Sequence, residues 1–417
     1  MKTPFLVCLL LLDLSCAYNG VAQFDDQTSV QEKKYLIYDV NPGEGFNLRR
    51  DVYMRVANVV RQLREQGYNY ILVLPPWGNL YHWRKRENKC KWSEFFDVES
   101  LNLFVPVMEF EDFIKEAGHQ IDLVLYLQSY AEGWQDGEFE MKFDIRPCIE
   151  AQHYYEKVGD KWRGMFFSYS EVWSHDVKCL SIQGQSSTLV DAIKKGFNET
   201  YRLMVDRSET ILHDHFGDIH YWRARRSMRY SKAVIEMGDK FRHEAFNSND
   251  IDDRTVIKDN WQNTEKKHGD AIGGNYLCVH LRRRDFVRSH KKNIPSIEGA
   301  AKQISETAKR LKLNQLFLST DADTVEIDEL ASFLSPSNIT LTRFEGGPQL
   351  SDGFISVVDQ WVCAHAKHFI GTHQSTFSFR IHEDREILGF LSETTFNRLC
   401  PDHENECEQP AKWTIVY

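Results

Sequence analysis

From residue 35 onward, short apolar runs alternate with longer stretches in which apolar residues return every three or four positions. Residues 35–40 form a run of strand type. Asn41-Pro42-Gly43 follows as turn chemistry, since proline fixes φ and glycine permits φ > 0. Gly45 lets the backbone approach a ligand closely, and Asn47 is the expected cap of the next helix. Val52, Val56, Val59, Val60 and Leu63 fall at i, i+4, i+7, i+8 and i+11 and predict one apolar helix face, closed by Gly67. Residues 70–74 read as a buried strand stopped by Pro75-Pro76-Trp77-Gly78. A short helix at 93–97, a strand at 104–107, a helix at 110–117 and a strand at 122–127 continue the alternation, which predicts a parallel, doubly wound sheet.

The alternation breaks from about 129 to 184, a segment rich in Trp, Tyr, Phe, Gly and charge. It reads as a loop-dominated insertion, and excursions of that kind are often functional. Residues 189–213 and 225–242 then read as helical. The polar stretch 247–274 is the expected linker. Beyond it lie strands at 276–281, 316–318, 339–343 and 368–370, and helices at 297–311, 325–333, 357–366 and from 377 onward. Ser296 is the expected cap of the first of these helices. The result is two α/β halves facing a cleft, one over 23–250 and one over 251–417.

Composition narrows the class. A net charge of −10 argues against nucleic acid as the general partner. Lys2, a mostly apolar 5–14 and small residues at 15–17 and 20–22 read as a secretory signal peptide at 1–22, too short for a stable membrane anchor. The expectation is a lumenal protein with no membrane span, and the C-terminus carries no retrieval tetrapeptide. Cys8 and Cys16 leave with the leader, so seven of nine cysteines remain, an odd number. Cys400 and Cys407 flank a polar loop and make the easiest pair, Cys148 and Cys179 a second. Cys278 and Cys363 sit in apolar segments and read as buried thiols, and Cys90 is left over. Asn198 and Asn338 begin glycosylation sequons.

Three stretches carry chemistry. Glu44, between two glycines at a helix start, is placed to act as a general base, the plain alternative being a solvated turn residue. Val279-His280-Leu281-Arg282-Arg283-Arg284-Asp285-Phe286 puts guanidinium groups at a strand end, where a diphosphate could be clamped; the alternative is a surface ion-pair network. Gly371-Thr372-His373-Gln374-Ser375-Thr376-Phe377-Ser378 runs from a strand into a helix N-terminus, an anion site or a simple cap by Ser375 or Thr376. Asp321-Ala322-Asp323 reads as turn and cap chemistry more than as a metal site. His213-Asp214-His215 with His220 does not converge well enough to hold zinc. The P-loop signature and a dinucleotide Gly-x-Gly-x-x-Gly after the first strand are both absent, which disfavours P-loop transferases and nicotinamide enzymes.

Taken in order, Tyr38-Asp39-Val40-Asn41-Pro42, Glu44-Gly45-Phe46-Asn47-Leu48-Arg49-Arg50, Val73-Leu74-Pro75-Pro76-Trp77-Gly78, Leu127-Gln128-Ser129-Tyr130-Ala131-Glu132-Gly133-Trp134, His280-Leu281-Arg282-Arg283 and Ser375-Thr376-Phe377-Ser378-Phe379-Arg380-Ile381-His382-Glu383 form a set. The set resembles the GDP-fucose protein O-fucosyltransferases, nearest to the type that modifies thrombospondin type 1 repeats. The resemblance implies an α/β GT-B fold of two Rossmann-like domains. It implies inverting transfer of fucose from GDP-β-L-fucose to Ser or Thr of folded thrombospondin repeats, in the endoplasmic reticulum lumen, with no required metal. It implies Glu44 as base, with Gly43, Glu44, Gly45, Phe46 and Asn47 lining the donor. His280, Leu281 and Arg282 would bind the nucleotide, Arg282 on the β-phosphate. Asp359 would sit on the guanine edge, and Ser375, Thr376 and Phe377 would cradle phosphates. Cys148 with Cys179 and Cys400 with Cys407 match family pairs. Gly43 stands where relatives can have proline. Another acceptor, such as an EGF-like repeat, and a non-catalytic lumenal quality-control factor are the competing readings.

Overall fold

The structure, a computed structural model, describes residues 32–78, 80, 83, 89–133, 139–395, 397–404, 406–409 and 413–417. The expected signal peptide and Trp134 lie outside the described residues. Residues Lys33–Tyr417 form one compact unit.

Two sheets organise it. The first contains β1 (Lys34–Tyr38), β2 (Tyr70–Leu74), β3 (Val107–Glu109), β4 (Gln120–Gln128), β5 (Lys142–Ile145), β6 (Glu156–Val158), β7 (Lys161–Arg163), β8 (Trp173–Gln183) and β9 (Arg202–Asp206). Its order is β3-β2-β1-β9-β4-β8-β7-β6, with β5 also on β8. The six strands from β3 to β8 are mutually parallel, and β5, β6 and β7 add antiparallel pairings at the edge. The second sheet contains β10 (Gly274–Leu281), β11 (Gln315–Thr320), β12 (Thr340–Thr342), β13 (Ala366–Gly371) and β14 (Asn397–Arg398) in the order β12-β11-β10-β13-β14, all parallel. In each sheet the first strand has later strands on both sides. The carboxyl ends of β1 and β10 are therefore switch points, where α/β sheets open a ligand crevice. The Glu44 loop leaves one of them and Leu281-Arg282 the other.

The α/β GT-B expectation matches, with corrections inside it. Residues 189–213 are not one helix. A helix at Ser186–Gly196 gives way to β9, which lies between β1 and β4 in the middle of the first sheet. Leu203-Met204-Val205 is a short run buried on both faces, which periodicity cannot separate from a helix segment. The 129–184 segment is likewise no loop insertion throughout. It holds β8, an eleven-residue strand parallel to β4 whose polar first half hid it. The 225–242 helix is two helices, Ile219–Ser227 and Lys232–Phe246, with Ser231 capping the second.

Disulfides join Cys148 to Cys179 and Cys400 to Cys407. Cys278 and Cys363 are not thiols. They form a third disulfide between β10 and the Asp352–Ala364 helix that packs on it. Their apolar setting suggested inert thiols, but strand and helix bring the two Cα atoms to 5.2 Å, well within bridging range. Cys90 remains a buried free cysteine. No helix among the described residues is long and apolar enough to cross a membrane.

A buried ionic seam joins the Thr376–Leu388 helix to the first half. Arg225 donates to Glu383 and Asp384 at 2.5 Å each, and the Tyr230 hydroxyl donates to Asp384 at 2.6 Å. Arg380 pairs with Glu383 at 3.0 Å and reaches Asp51 at 3.4 Å. Glu383 is fully buried, so only these cations and the Tyr221 hydroxyl keep its carboxylate ionised.

Candidate donor and base site

The first wall is the loop after β1. Asn41 builds it: its carbonyl accepts the Glu44 N–H at 2.9 Å and its side chain accepts the Gly43 N–H at 3.2 Å. The loop is moored to the segment after β9. Asp39 donates to the Val205 carbonyl at 3.0 Å, the Ser208 N–H donates to the Asp39 carbonyl at 2.9 Å, and Glu209 accepts the Asn41 N–H at 3.0 Å. Arg49, one turn into the Phe46–Glu65 helix, donates through Nε to the Glu44 carbonyl at 3.1 Å. The Glu44 side chain is half-buried and its carboxylate takes no hydrogen bond among the described residues. It is thus held by its backbone and open at its functional end. Neither Gly43 nor Gly45 uses positive φ, so no left-handed turn requires them.

Asn47 is not the cap. Gly45 holds that position without a side-chain bond, and Asn47 lies inside the helix. Its Oδ1 accepts from Gln360 Nε2 at 2.8 Å and from Arg50 at 3.3 Å. Behind the loop, Asp39 and Asp206 end adjacent strands. Burial and their mutual repulsion push Asp39 up to about 7, and Tyr155 donates to Asp206 at 2.7 Å.

The second wall is built by β10, β13 and the Thr376–Leu388 helix. The His280 ring lies 2.8 Å from Ser378 Oγ and stacks on Phe377 with centroids 4.3 Å apart. Burial, aided by Arg282, pulls its pKa down to about 3, so the ring is neutral across the physiological range. Thr372 ties two strand ends together: its hydroxyl donates to the His280 carbonyl at 2.7 Å and accepts the Arg282 N–H at 3.0 Å. Leu281 is buried in the second sheet's core. Ser375 sits at the N-cap with no side-chain cap bond, leaving the first N–H groups of Thr376 and Phe377 pointing out of an uncapped helix end. Arg282 is held by Asp321 and, at 2.5 Å, by Asp285. Asp321 also accepts the Arg283 N–H at 2.6 Å, and Asp323 caps the Thr324–Leu334 helix. The Asp-x-Asp stretch therefore does turn and cap work. His213 pairs with Asp51, and Asp214 accepts from Gln62 and the Ser187 N–H, while His220 Nδ1 is buried without a hydrogen-bond partner among the described residues.

The third element is the Asp352–Ala364 helix. Asp359 Oδ2 accepts from Ser319 at 2.7 Å, while Oδ1 is buried without a hydrogen-bond partner among the described residues. Burial raises the carboxyl to about 7 against the opposing pull of Ser319 and Arg343. An empty buried acceptor with one oxygen anchored suits a ligand that brings two donors. Gln360, the next residue, reaches the opposite wall through Asn47 and Arg50. The sequence reading missed Gln360, Thr372, Ser319 and Asp39. Thr372 lay within the stretch marked as an anion site. Gln360 carries no motif at all.

The family model described as GDP-fucose protein O-fucosyltransferase matches residues 35–388. Similar proteins named GDP-fucose protein O-fucosyltransferase 2 include one from Caenorhabditis elegans, 54% identical over 93% of this chain and 91% of the relative. Another from Homo sapiens is 46% identical over the same shares. One from Drosophila melanogaster is 36% identical over 92% of this chain and 82% of the relative. Among solved structures, POFUT1 in complex with GDP-fucose shares the fold, with a TM-score of 0.58 at 16% identity, covering 88% of this chain and 97% of that one. The chain belongs to the GDP-fucose protein O-fucosyltransferase family.

Proposed function

We propose that this protein transfers fucose from GDP-β-L-fucose to a Ser or Thr hydroxyl of folded thrombospondin type 1 repeats, with inversion, in the endoplasmic reticulum lumen. The observation that carries the reading is the pairing of a Glu44 carboxylate that takes no hydrogen bond among the described residues with the buried Asp359 Oδ1 acceptor, the two elements linked through Asn47 and Gln360. Glu44 takes the acceptor proton as the hydroxyl oxygen bonds to the fucose anomeric carbon. The carbon–oxygen bond to GDP breaks with its electron pair leaving on the β-phosphate. A base on the acceptor face typically contributes about 10²–10⁴-fold.

Arg282 and the uncapped N-terminus of the Thr376–Leu388 helix supply positive charge where the diphosphate develops negative charge. Arg282 exchanges Asp321 for phosphate when the donor binds. The neutral His280–Phe377 stack forms a flat floor beside it. Asp359 accepts from guanine N1 and N2, donors that adenine lacks, so GDP is selected over ADP. Gly43, Gly45, Phe46, Asn47, Leu281, Ser375, Thr376 and Phe377 complete the donor surface. Asn338 is exposed on a left-handed turn, accessible to glycosylation.

The test is the mass of a folded thrombospondin repeat after incubation with GDP-fucose. One added deoxyhexose supports the reading. Modification of an EGF-like repeat in its place points to the other acceptor class. No modification of either repeat, with GDP-fucose still bound, favours a binding factor.

A further inference from the structure

Gln360 is fully buried, and each end of its amide is committed. Its Oε1 accepts from Arg50 at 2.6 Å, with the Tyr230 hydroxyl at 3.4 Å. Its Nε2 donates to Asn47 Oδ1 at 2.8 Å. A guanidinium can only donate, so Arg50 fixes which end of the amide faces which partner. Arg50 also donates to Asn47 Oδ1 at 3.3 Å, which holds the Asn47 amide in the same sense. The network is therefore a directional chain and not a pair of interchangeable amides.

Its location gives it a role. Asn47 stands three residues from Glu44, at the start of the Phe46–Glu65 helix. Gln360 follows Asp359 on the Asp352–Ala364 helix, and that helix is stapled to β10 through Cys363 and Cys278. β10 leads directly into Arg282. One buried amide thus joins the element bearing the base to the rigid assembly bearing the nucleotide site.

We propose that Gln360 is a positioning residue for fucosyl transfer, setting the Glu44 loop in register with the bound donor through Asn47. The proposal rests on the reading of Glu44 as base and Asp359 as nucleotide acid. Misplacement of reacting groups by as little as 1 Å can cost about 10²-fold in rate. Gln360 is fully buried and presents no surface to a substrate, so its effect is expected on turnover and not on donor affinity.

The experiment uses the full chain and the Gln360→Glu variant. Glutamate keeps an acceptor for Arg50 but faces Asn47 Oδ1 with a second oxygen. The expected result is a kcat at least about tenfold lower, with GDP-fucose affinity by calorimetry unchanged within about twofold. Asn47→Ala and the double variant complete a cycle. If Gln360 acts through Asn47, the double variant loses no more kcat than Asn47→Ala alone. Wild-type turnover in Gln360→Glu, a parallel loss of donor affinity, or additive losses would each overturn the proposal. Should Gln360→Glu unfold, Gln360→Met is put through the same cycle. Glu44→Gln runs alongside. If it is inactive while Gln360→Glu turns over normally, the positioning role alone fails. If it remains active, the base assignment fails independently.

Discussion

The role proposed for Asp359 predicts that donor binding depends on pH in a way that can be calculated. Its carboxyl is pushed up to about 7 by burial, and Oδ1 waits without a partner. Guanine N1–H and N2–H are donors and require the ionised form. Without ligand, the ionised fraction is about a tenth at pH 6, a half at pH 7 and nine-tenths at pH 8. Apparent affinity scales with that fraction, so Kd for GDP-fucose tightens about fivefold from pH 6 to pH 7 and less than about twofold from pH 7 to pH 8. GDP-fucose is the right probe because the terminal phosphate of GDP itself titrates near this range, whereas the sugar-capped diphosphate does not. His280 stays neutral throughout and adds no slope. Linkage gives the sign for stability as well. Because the folded carboxyl holds its proton above the reference value of 3.8, the ligand-free protein loses stability as pH rises from there through 7. Calorimetry of GDP-fucose binding across pH 6–8 is the assay. Asp359→Asn should abolish the slope and weaken binding about 10- to 100-fold, the scale of a charge-assisted hydrogen-bond loss of about 1.5–3 kcal/mol. A flat profile in the wild type, or the same slope in Asp359→Asn, would refute the assignment.

Three further predictions concern the buried ion pairs and the packing. Arg225→Met takes the Arg225 ion pair from buried Asp384 and leaves Glu383 with Arg380 as its cation, so urea denaturation should show a loss of about 3–5 kcal/mol. Gly43→Ala should fold with thermal stability unchanged within about 1 kcal/mol, because the added Cβ meets only Asn41 Oδ1 at 3.8 Å and φ is not left-handed. Gly353→Ala should instead cost about 1–3 kcal/mol in thermal unfolding, since its Cβ would fall 2.3 Å from the Trp83 ring.

The second half was the more legible in sequence, for a physical reason. Its strands are short apolar runs separated by amphipathic helices. Ser296 caps Ile297–Leu311 as its hydroxyl chemistry implies, accepting the Gly299 N–H at 3.0 Å. In the first half, β8 opens on the polar run Ser174-His175-Asp176, while β9 is so buried that it shows no alternation. Neither carries the period that marks a strand. The Cys278–Cys363 bridge needed a strand and a helix packed face to face before the pair could be seen. The site divided in the same way. Glu44 and Arg282 sit in loops and Ser375–Phe377 at a helix start, all with recognisable chemistry. Gln360 makes its side-chain contacts with Arg50, Asn47 and Tyr230, all far away in sequence, and no local pattern announces such a residue.

The central claim is that Glu44 takes the proton in a site whose donor pocket is otherwise self-sufficient. Glu44→Gln keeps the loop, since both anchoring bonds, from the Glu44 N–H to Asn41 and from Arg49 to the Glu44 carbonyl, are made by its backbone. The direct measurement is single-turnover transfer to a folded thrombospondin repeat by Glu44→Gln, with GDP-fucose affinity measured on the same preparation. The account predicts affinity within about twofold of wild type and a transfer rate lower by at least about 10²-fold. Transfer at the wild-type rate, with the donor bound normally, would contradict it.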